Sequence, residues 1–319
     1  MNEKRYVTIK EIAKDLNLTL LAGENGFDNK VSVEMLSRPG VEFAGFLDFY
    51  DKDRILLIGS KEFKFLGTLT KKLRIERVEN VFKNLPPAAI FSVNVEIPDY
   101  FFDLGNKYNI PILKSKERTT PINSKLYAYL RSNLAPRKTL HGTLVDIHGM
   151  GTLIIGKSGI GKSETALELV KRGHILIADD RVDAYETAPG IIIGEAPNVL
   201  KGFIEIRGIG IVNVIQMLGA GSYRENKKIR LVIELEVWND KKEYDRLGIS
   251  GDHYEIFGTT LPKVIIPILP GRNNATLVES AAMNEKLKFL GYNAAEDLIK
   301  KVNELANRKV NNNDKEWKL

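Results

Sequence analysis

Residues 153–163 read LIIGKSGIGKS, and this stretch decides how the surrounding half of the chain folds. The apolar run Leu153, Ile154 and Ile155 leads into Gly156, and after four residues come Gly161, Lys162 and Ser163. That completes G-x-x-x-x-G-K-[ST], the phosphate loop. The flanks agree, with an apolar strand before it and a good helix former, ETALELV (164–170), after it. A triphosphate needs backbone N–H groups turned inward, which a glycine-rich loop presents without Cβ clashes. It also needs the positive end of a helix, supplied by one opening near Lys162. Gly156, Lys157, Ser158, Gly159, Ile160 and Gly161 are therefore expected to cradle phosphates. Lys162 is expected to reach the β- and γ-phosphates, with the Ser163 hydroxyl on Mg²⁺. The motif indicates nucleoside triphosphate binding and leaves the phosphate acceptor open.

A chain of 319 residues is long for one domain, and two are expected. Hydrophobic content of 43% beside 28% charged residues is ordinary for a soluble globular protein. Cysteine is absent, which excludes disulfides, thiolate nucleophiles and zinc–thiolate sites. No run approaches the roughly 18 apolar residues of a membrane span, and the opening MNEKRYVTIKEIAKDL has no signal-like apolar core. A cytoplasmic setting without a membrane partner is expected. The net charge of +6 comes from Lys and Arg scattered among 41 acidic residues, a solvated surface and no nucleic-acid footprint.

Residues 1–131 read as a small N-terminal α/β domain of unclear role, and 132–319 as the phosphate-loop domain ending in a helix. In the first half, residues 8–17 have helical periodicity, 54–59 and 88–92 read as buried strands, 99–108 as a helix and 110–113 as a strand. The polar segment KSKERTTPINS (114–124) marks the boundary region, with a helix expected from Lys125 to Asn133. In the second half, 143–147 and 152–155 are expected strands joined by a turn at Gly149-Met150-Gly151. Strands are also expected at 175–178, 191–194, 229–236 and 264–269, and a final helix at 294–306 with a frayed tail from Asn307.

A phosphate loop usually works with a carboxylate at a neighbouring strand end. Asp179 and Asp180 follow the apolar strand 175–178, and adjacent residues point in different directions, so one can address a metal while the other takes a proton from an attacking hydroxyl. Of four histidines, His141 has a claim because it precedes the strand running toward the loop. In IEIRGIGIVN (204–213), Glu205 and Arg207 share one side of an extended segment and could present a carboxylate to metal and a guanidinium to phosphate oxygens, although the pattern by itself reads first as an amphipathic strand with a glycine turn. Arg272, in the glycine-bounded loop 267–272, and Arg246 are further guanidinium candidates for charge on a transferring phosphoryl group, and pattern alone does not choose among them.

Together the phosphate loop, the Asp-Asp strand end, IEIRGIGIVN, GAG (219–221), DRLG (245–248) and PILPGRN (267–273) closely resemble the bifunctional HPr kinase/phosphorylase family of bacteria. The first half resembles that family too, in LLAG (20–23), SRPGVEFAGFLDFY (37–50) and RILLIG (54–59). The resemblance implies an α/β fold, a small N-terminal α/β domain plus a C-terminal P-loop-containing kinase domain, assembled as a homohexamer. It implies ATP- and Mg²⁺-dependent phosphorylation of a serine in the phosphocarrier HPr, and attack of inorganic phosphate on phosphoseryl-HPr to give pyrophosphate. By position, Asp180 would be the general base and, in reverse, the acid. Ser163 and Glu205 would hold Mg²⁺, and His141, Lys162 and Arg246 would be active-site residues. The segment with Glu205, Arg207, Gly208 and Gly210 would serve both reactions, and Pro267, Gly271 and Arg272 chiefly the dephosphorylation. Lys157 departs from the resemblance, since the family more often carries an acidic residue there.

Three other readings compete. A phosphate-loop kinase acting on a small molecule would not need the whole first domain. A GTPase lacks its N-K-x-D guanine motif here. A DNA-binding regulator would use TIKEIAKDL (8–16) as the first helix of a helix-turn-helix, but the following LTLLAGENGFDNK is not the polar, basic second helix a major groove requires.

Overall fold

The computed structural model describes residues 5–244, 251–269 and 271–316. The chain divides between Pro136 and Arg137 into two compact units.

In the first unit the apolar runs become parallel strands. Leu36–Ser37, Ile55–Ile58, Ala89–Phe91 and Ile112–Lys114 lie side by side in that order, with Thr19–Ala22 antiparallel at the far edge. Alternate residues feed two cores, as the strand pleat requires. Ile55, Leu57 and Ile90 pack with Ile9, Ile12, Ile122 and Leu126. Leu56, Ile58 and Phe91 pack with Phe43, Phe82 and Phe101. Each such side chain contributes about 1.5–3 kcal/mol by leaving water.

The helix Ile9–Asp15 starts at a capping box in which the Thr8 hydroxyl accepts from the Glu11 N–H. The residues after it form the strand Thr19–Ala22, so no second helix follows and the helix-turn-helix reading fails. The polar segment 114–124, expected to mark the boundary region, lies inside the first unit, because the helix Thr119–Leu134 opens within it. Pro121 falls in the first turn, where the helix has no intrahelical partner for an N–H. The helix runs past the 131/132 division expected from sequence, and the units part after its end.

The second unit holds a nine-stranded sheet among the described residues. Its centre is the long strand Asn226–Val237, parallel to Met150–Gly156 on one side and to Thr259–Ile268 on the other. Antiparallel strands extend both flanks, Thr143–Ile147 and then Ile175–Ala178 beyond Met150–Gly156, and Ile191–Glu195, Arg181–Ala188 and Arg137–His141 beyond the start of Asn226–Val237. Ile154 and Ile233 face a core shared with the helices Lys162–Lys171 and Asn274–Phe289, while Leu153 and Val232 face the other side. The hairpin before the phosphate loop turns at His148 and Gly149, both at positive φ, rather than at 149–151. Met150 and Gly151 belong to the strand, and Gly151 is required by close approach: a Cβ there would lie 2.0 Å from the Lys228 carbonyl oxygen. The last helix, Ala294–Glu316, continues through the segment expected to fray.

Candidate active site at the phosphate loop

Parallel strands share a direction, so Met150–Gly156, Asn226–Val237 and Thr259–Ile268 deliver their carboxyl ends to one edge of the sheet, the edge where α/β folds place ligands. Gly156 pairs with Leu235, and Leu235 with Ile266. The phosphate loop leaves this edge and enters the helix Lys162–Lys171, whose N-cap is Gly161 at φ 96°. Gly156, Gly159 and Gly161 all have positive φ, the conformation the motif's glycines are there to supply. Lys162 folds back over the loop, its Nζ donating to the Gly156 and Lys157 carbonyls at 3.1 and 3.2 Å.

The Asp179-Asp180 pair diverges as adjacent residues should. Asp179 is buried, and its carboxylate accepts from the Ser163 hydroxyl (2.9 Å to each oxygen), the Thr143 hydroxyl (2.7 Å) and the Glu205 backbone N–H (3.2 Å). Burial raises its pKa above the ordinary carboxylate value, outweighing the hydrogen bonds that pull the other way. Asp180 is exposed and left-handed (φ 60°), which Asp tolerates better than most residues. Its carbonyl accepts from the Gly142 N–H, and its side chain lines a pocket shared with Ser158, Lys162, Ser163, Glu205 and Arg207.

Glu205 and Arg207 reach this pocket through a short hairpin. The strand Phe203–Ile206 buries Ile204 and Ile206, leaving Glu205 and then Arg207 on the exposed side, and it pairs with Gly210–Asn213. Gly208 and Gly210, both at positive φ, shape the turn between them. The Arg207 guanidinium lies against Gly159, where a Cβ would come within 2.5 Å of its Nη1. The side-sharing read from the Glu-x-Arg spacing thus brings a carboxylate and a guanidinium onto the phosphate loop.

Other predicted residues stand further out. His141 pairs across the sheet with Arg181, one residue from Asp180, and does not line the pocket. Pro267 is the next-to-last residue of the strand Thr259–Ile268, and Gly271 and Arg272 follow that strand, two strands from the phosphate loop at the same edge. Arg246 lies outside the described residues. Thr143 was not foreseen. Its signal in the sequence is a hydroxyl opening the strand TLVDI, a group that needs a partner once buried.

A phosphate loop at the carboxyl ends of three parallel strands in a mixed sheet, with a serine hydroxyl held by a buried carboxylate, defines a P-loop phosphate-binding protein. Residues 132–302 match the HPr Serine kinase C-terminal domain, and residues 7–130 the HPr Serine kinase N terminus. The HPr kinase/phosphorylase of Bacillus pumilus is 43% identical over 296 residues, covering 93% of this chain and 96% of the relative. That of Listeria monocytogenes serotype 4a is 42% identical over 310 residues, covering 97% and 99%. The HPr(Ser) kinase/phosphatase from Coxiella burnetii is a solved structure at 35% identity, TM-score 0.46, covering 50% of this chain and 98% of that one. The chain belongs to the HPr serine kinase family.

Proposed function

We propose that this protein transfers the γ-phosphoryl group of ATP to a serine of HPr, and in reverse transfers phosphate from phosphoseryl-HPr to inorganic phosphate, releasing pyrophosphate. The observation that carries the reading is the pocket in which Asp180 faces the phosphate loop beside Lys162, Ser163, Glu205 and Arg207. The relatives named HPr kinase/phosphorylase supply the acceptor.

In the forward direction ATP lies along residues 156–163, its phosphates on the loop N–H groups and the helix N-terminus. Lys162 exchanges two backbone carbonyls for phosphate oxygens. The HPr serine hydroxyl attacks the γ-phosphorus in line and its proton passes to Asp180. The new P–O bond forms as the bond to the β-phosphate oxygen breaks, and ADP leaves. Arg207 meets the charge spread over the transferring group. In reverse, an oxygen of inorganic phosphate attacks the phosphoserine phosphorus, Asp180 returns the proton to the departing serine oxygen, and pyrophosphate forms. Both directions share one in-line geometry, so the same residues serve both. His141, Arg246 and the segment with Pro267, Gly271 and Arg272 are proposed as additional contributors, the segment chiefly to the reverse reaction.

The donor set fits Mg²⁺: a hydroxyl, a carboxylate already hydrogen-bonded to it, and a second carboxylate in the same pocket are all hard oxygen ligands. Ser163, Asp179 and Glu205 would hold the ion. Bound there, it would neutralise charge on the phosphoryl oxygens. The buried Asp179 carboxylate, pushed up by desolvation, is the kind of group a cation stabilises. The proposed setting is the cytoplasm, where ATP is available. Homohexamer assembly is part of the proposal, carried by the resemblance of the whole chain to its family.

The test is a transfer assay with purified HPr. ATP and Mg²⁺ are expected to add one phosphate to a serine, and inorganic phosphate supplied after washing is expected to release pyrophosphate. ATP binding with no phosphate on HPr would leave the nucleotide site standing and move the acceptor to a small molecule.

Lys157 is exposed in the loop, where its charge adds to nucleotide attraction. Lys157→Asp is expected to weaken ATP binding by about three- to tenfold at low salt and by less at high salt, since exposed charges are screened beyond about 10 Å at 0.1 M. Equal affinities of the two proteins at both salts would show that Lys157 does not act electrostatically.

A further inference from the structure

At the opposite end of the phosphate-loop strand from the phosphate loop itself, three side chains from three elements converge. His148 is in the turn that precedes the strand Met150–Gly156. His174 follows the end of the helix Lys162–Lys171. Glu279 is on the helix Asn274–Phe289. His174 Nε2 is 3.0 Å from Glu279 Oε1, and His148 Nε2 is 3.4 Å from the same oxygen. All three ligand atoms lie within 4.8 Å of one another. The imidazoles meet edge to face with ring centroids 4.6 Å apart.

We propose that His148, His174 and Glu279 form a binding site for a divalent cation of the zinc class, distinct from the phosphate-loop site. Two imidazoles and one carboxylate are the nitrogen–oxygen set such ions take, and separations of 3.0 and 3.4 Å suit ligands on one ion with bonds of about 2 Å. The surroundings hold the ligands as metal sites do. Arg172 occupies the other Glu279 oxygen at 3.2 Å and is itself paired to Glu168, so Oε1 is left facing the imidazoles. His174 is buried, so with Arg172 on Glu279 two of the three ligands are held before binding, while Lys286 Nζ donates to the His148 carbonyl at 2.5 Å and holds the backbone of its turn. His148 exposes about half of its side chain, which leaves an entry path and an open position for water.

The turn supplies an independent reason to read His148 as chosen for its ring. His148 and Gly149 both have positive φ, the two-residue hairpin geometry for which Asn-Gly is the favoured pair. Histidine meets the backbone demand less well than asparagine and adds a metal ligand. An ion held here would tie the start of the phosphate-loop strand, the end of the phosphate-loop helix and the helix Asn274–Phe289 into one cluster, coupling cation occupancy to the rigidity of the nucleotide site's scaffold.

The experiment titrates Zn²⁺ into the full-length, chelator-treated protein against a chromophoric zinc indicator, with Co²⁺ as a spectroscopic probe. Wild type is expected to bind one equivalent at this site and to melt at a higher temperature when loaded. Glu279→Gln is expected to weaken binding by at least about tenfold. His148→Asn is expected to do the same while melting like wild type without metal, since Asn suits the turn. Ser163→Ala, which alters the phosphate-loop site, is expected to keep the bound equivalent. No bound equivalent in wild type, or binding lost in Ser163→Ala and unchanged in His148→Asn, would overturn the proposal.

Discussion

Asp180→Asn is expected to slow both HPr phosphorylation and phosphoseryl-HPr dephosphorylation by about 10²–10⁴-fold, the usual contribution of a positioned general base or acid, while ATP binding changes little. The asymmetry between chemistry and binding follows from where the carboxylate is. Asp180 lines the pocket beside Lys162 and Arg207 but belongs to the turn before the strand Arg181–Ala188, not to the loop whose N–H groups take the phosphates. Its backbone carries the structural duty there: φ is 60°, and the carbonyl accepts from Gly142. Asparagine adopts that conformation readily and keeps that hydrogen bond, so the variant should fold and melt like wild type. What it lacks is a group able to accept the serine proton. If one carboxylate serves both directions, both should fall together. Single-turnover transfer in each direction, with nucleotide affinity measured alongside, checks this. Normal kinase turnover in the variant would remove Asp180 from the base role. Loss of the forward reaction alone would mean that the two directions use different proton carriers.

The residues legible in the sequence were those fixed by local backbone chemistry. A phosphate loop must place glycines where φ is positive, so Gly156 and Gly161 betray the loop, and the strand and helix flanking it follow. That Glu205 and Arg207 share a side was also legible, because alternation along an extended segment needs no knowledge of partners, but the pattern alone favoured a plain amphipathic strand over a place at the phosphate loop. Elements that depend on distant contacts were not legible. Thr19–Ala22 is half-exposed and owes its strand to pairing with Ile112–Lys114. The helix Thr119–Leu134 begins six residues before the expected start at Lys125, in a polar stretch that reads as a boundary region, and its buried Ile122, Leu126 and Leu130 decide the matter. The site divided the same way. That Asp179 and Asp180 would differ was readable from their adjacency, but which of them turns inward was not. Only the fold shows Thr143, Ser163 and the Glu205 N–H converging on Asp179.

That convergence makes Asp179→Asn the second substitution of large effect, and it should act with opposite sign on stability and on activity. Burial raises the Asp179 pKa. A carboxyl whose pKa is higher folded than unfolded stabilises the fold fully below its unfolded value, and that contribution is lost as pH rises through the folded value. At neutral pH, without cation or nucleotide, the wild type therefore carries a destabilised buried charge that the neutral amide lacks. The asparagine carbonyl can still accept from the Glu205 N–H, while its amide donates to the Ser163 and Thr143 hydroxyls, which accept as well as donate. The variant is expected to melt a few degrees higher than wild type near pH 7, each kcal/mol shifting a domain of this size by about 2–4 °C. The difference should shrink as pH falls through the carboxylate range. Adding Mg²⁺ and nucleotide should reverse the order. Opposite unit charges 4 Å apart attract by about 4 kcal/mol at an effective dielectric of 20, and a divalent cation doubles the charge. The wild type gains that interaction and the amide does not. Turnover in both directions should drop by at least about 10²-fold, because the cation that neutralises the phosphoryl oxygens would lose an anionic ligand. Melting curves at pH 4–8 with and without Mg²⁺ and nucleotide separate the outcomes. A variant less stable than wild type in the absence of ligands at pH 7 would mean that the hydrogen bonds to Asp179 outweigh its desolvation, and that the carboxylate serves the fold before it serves a cation.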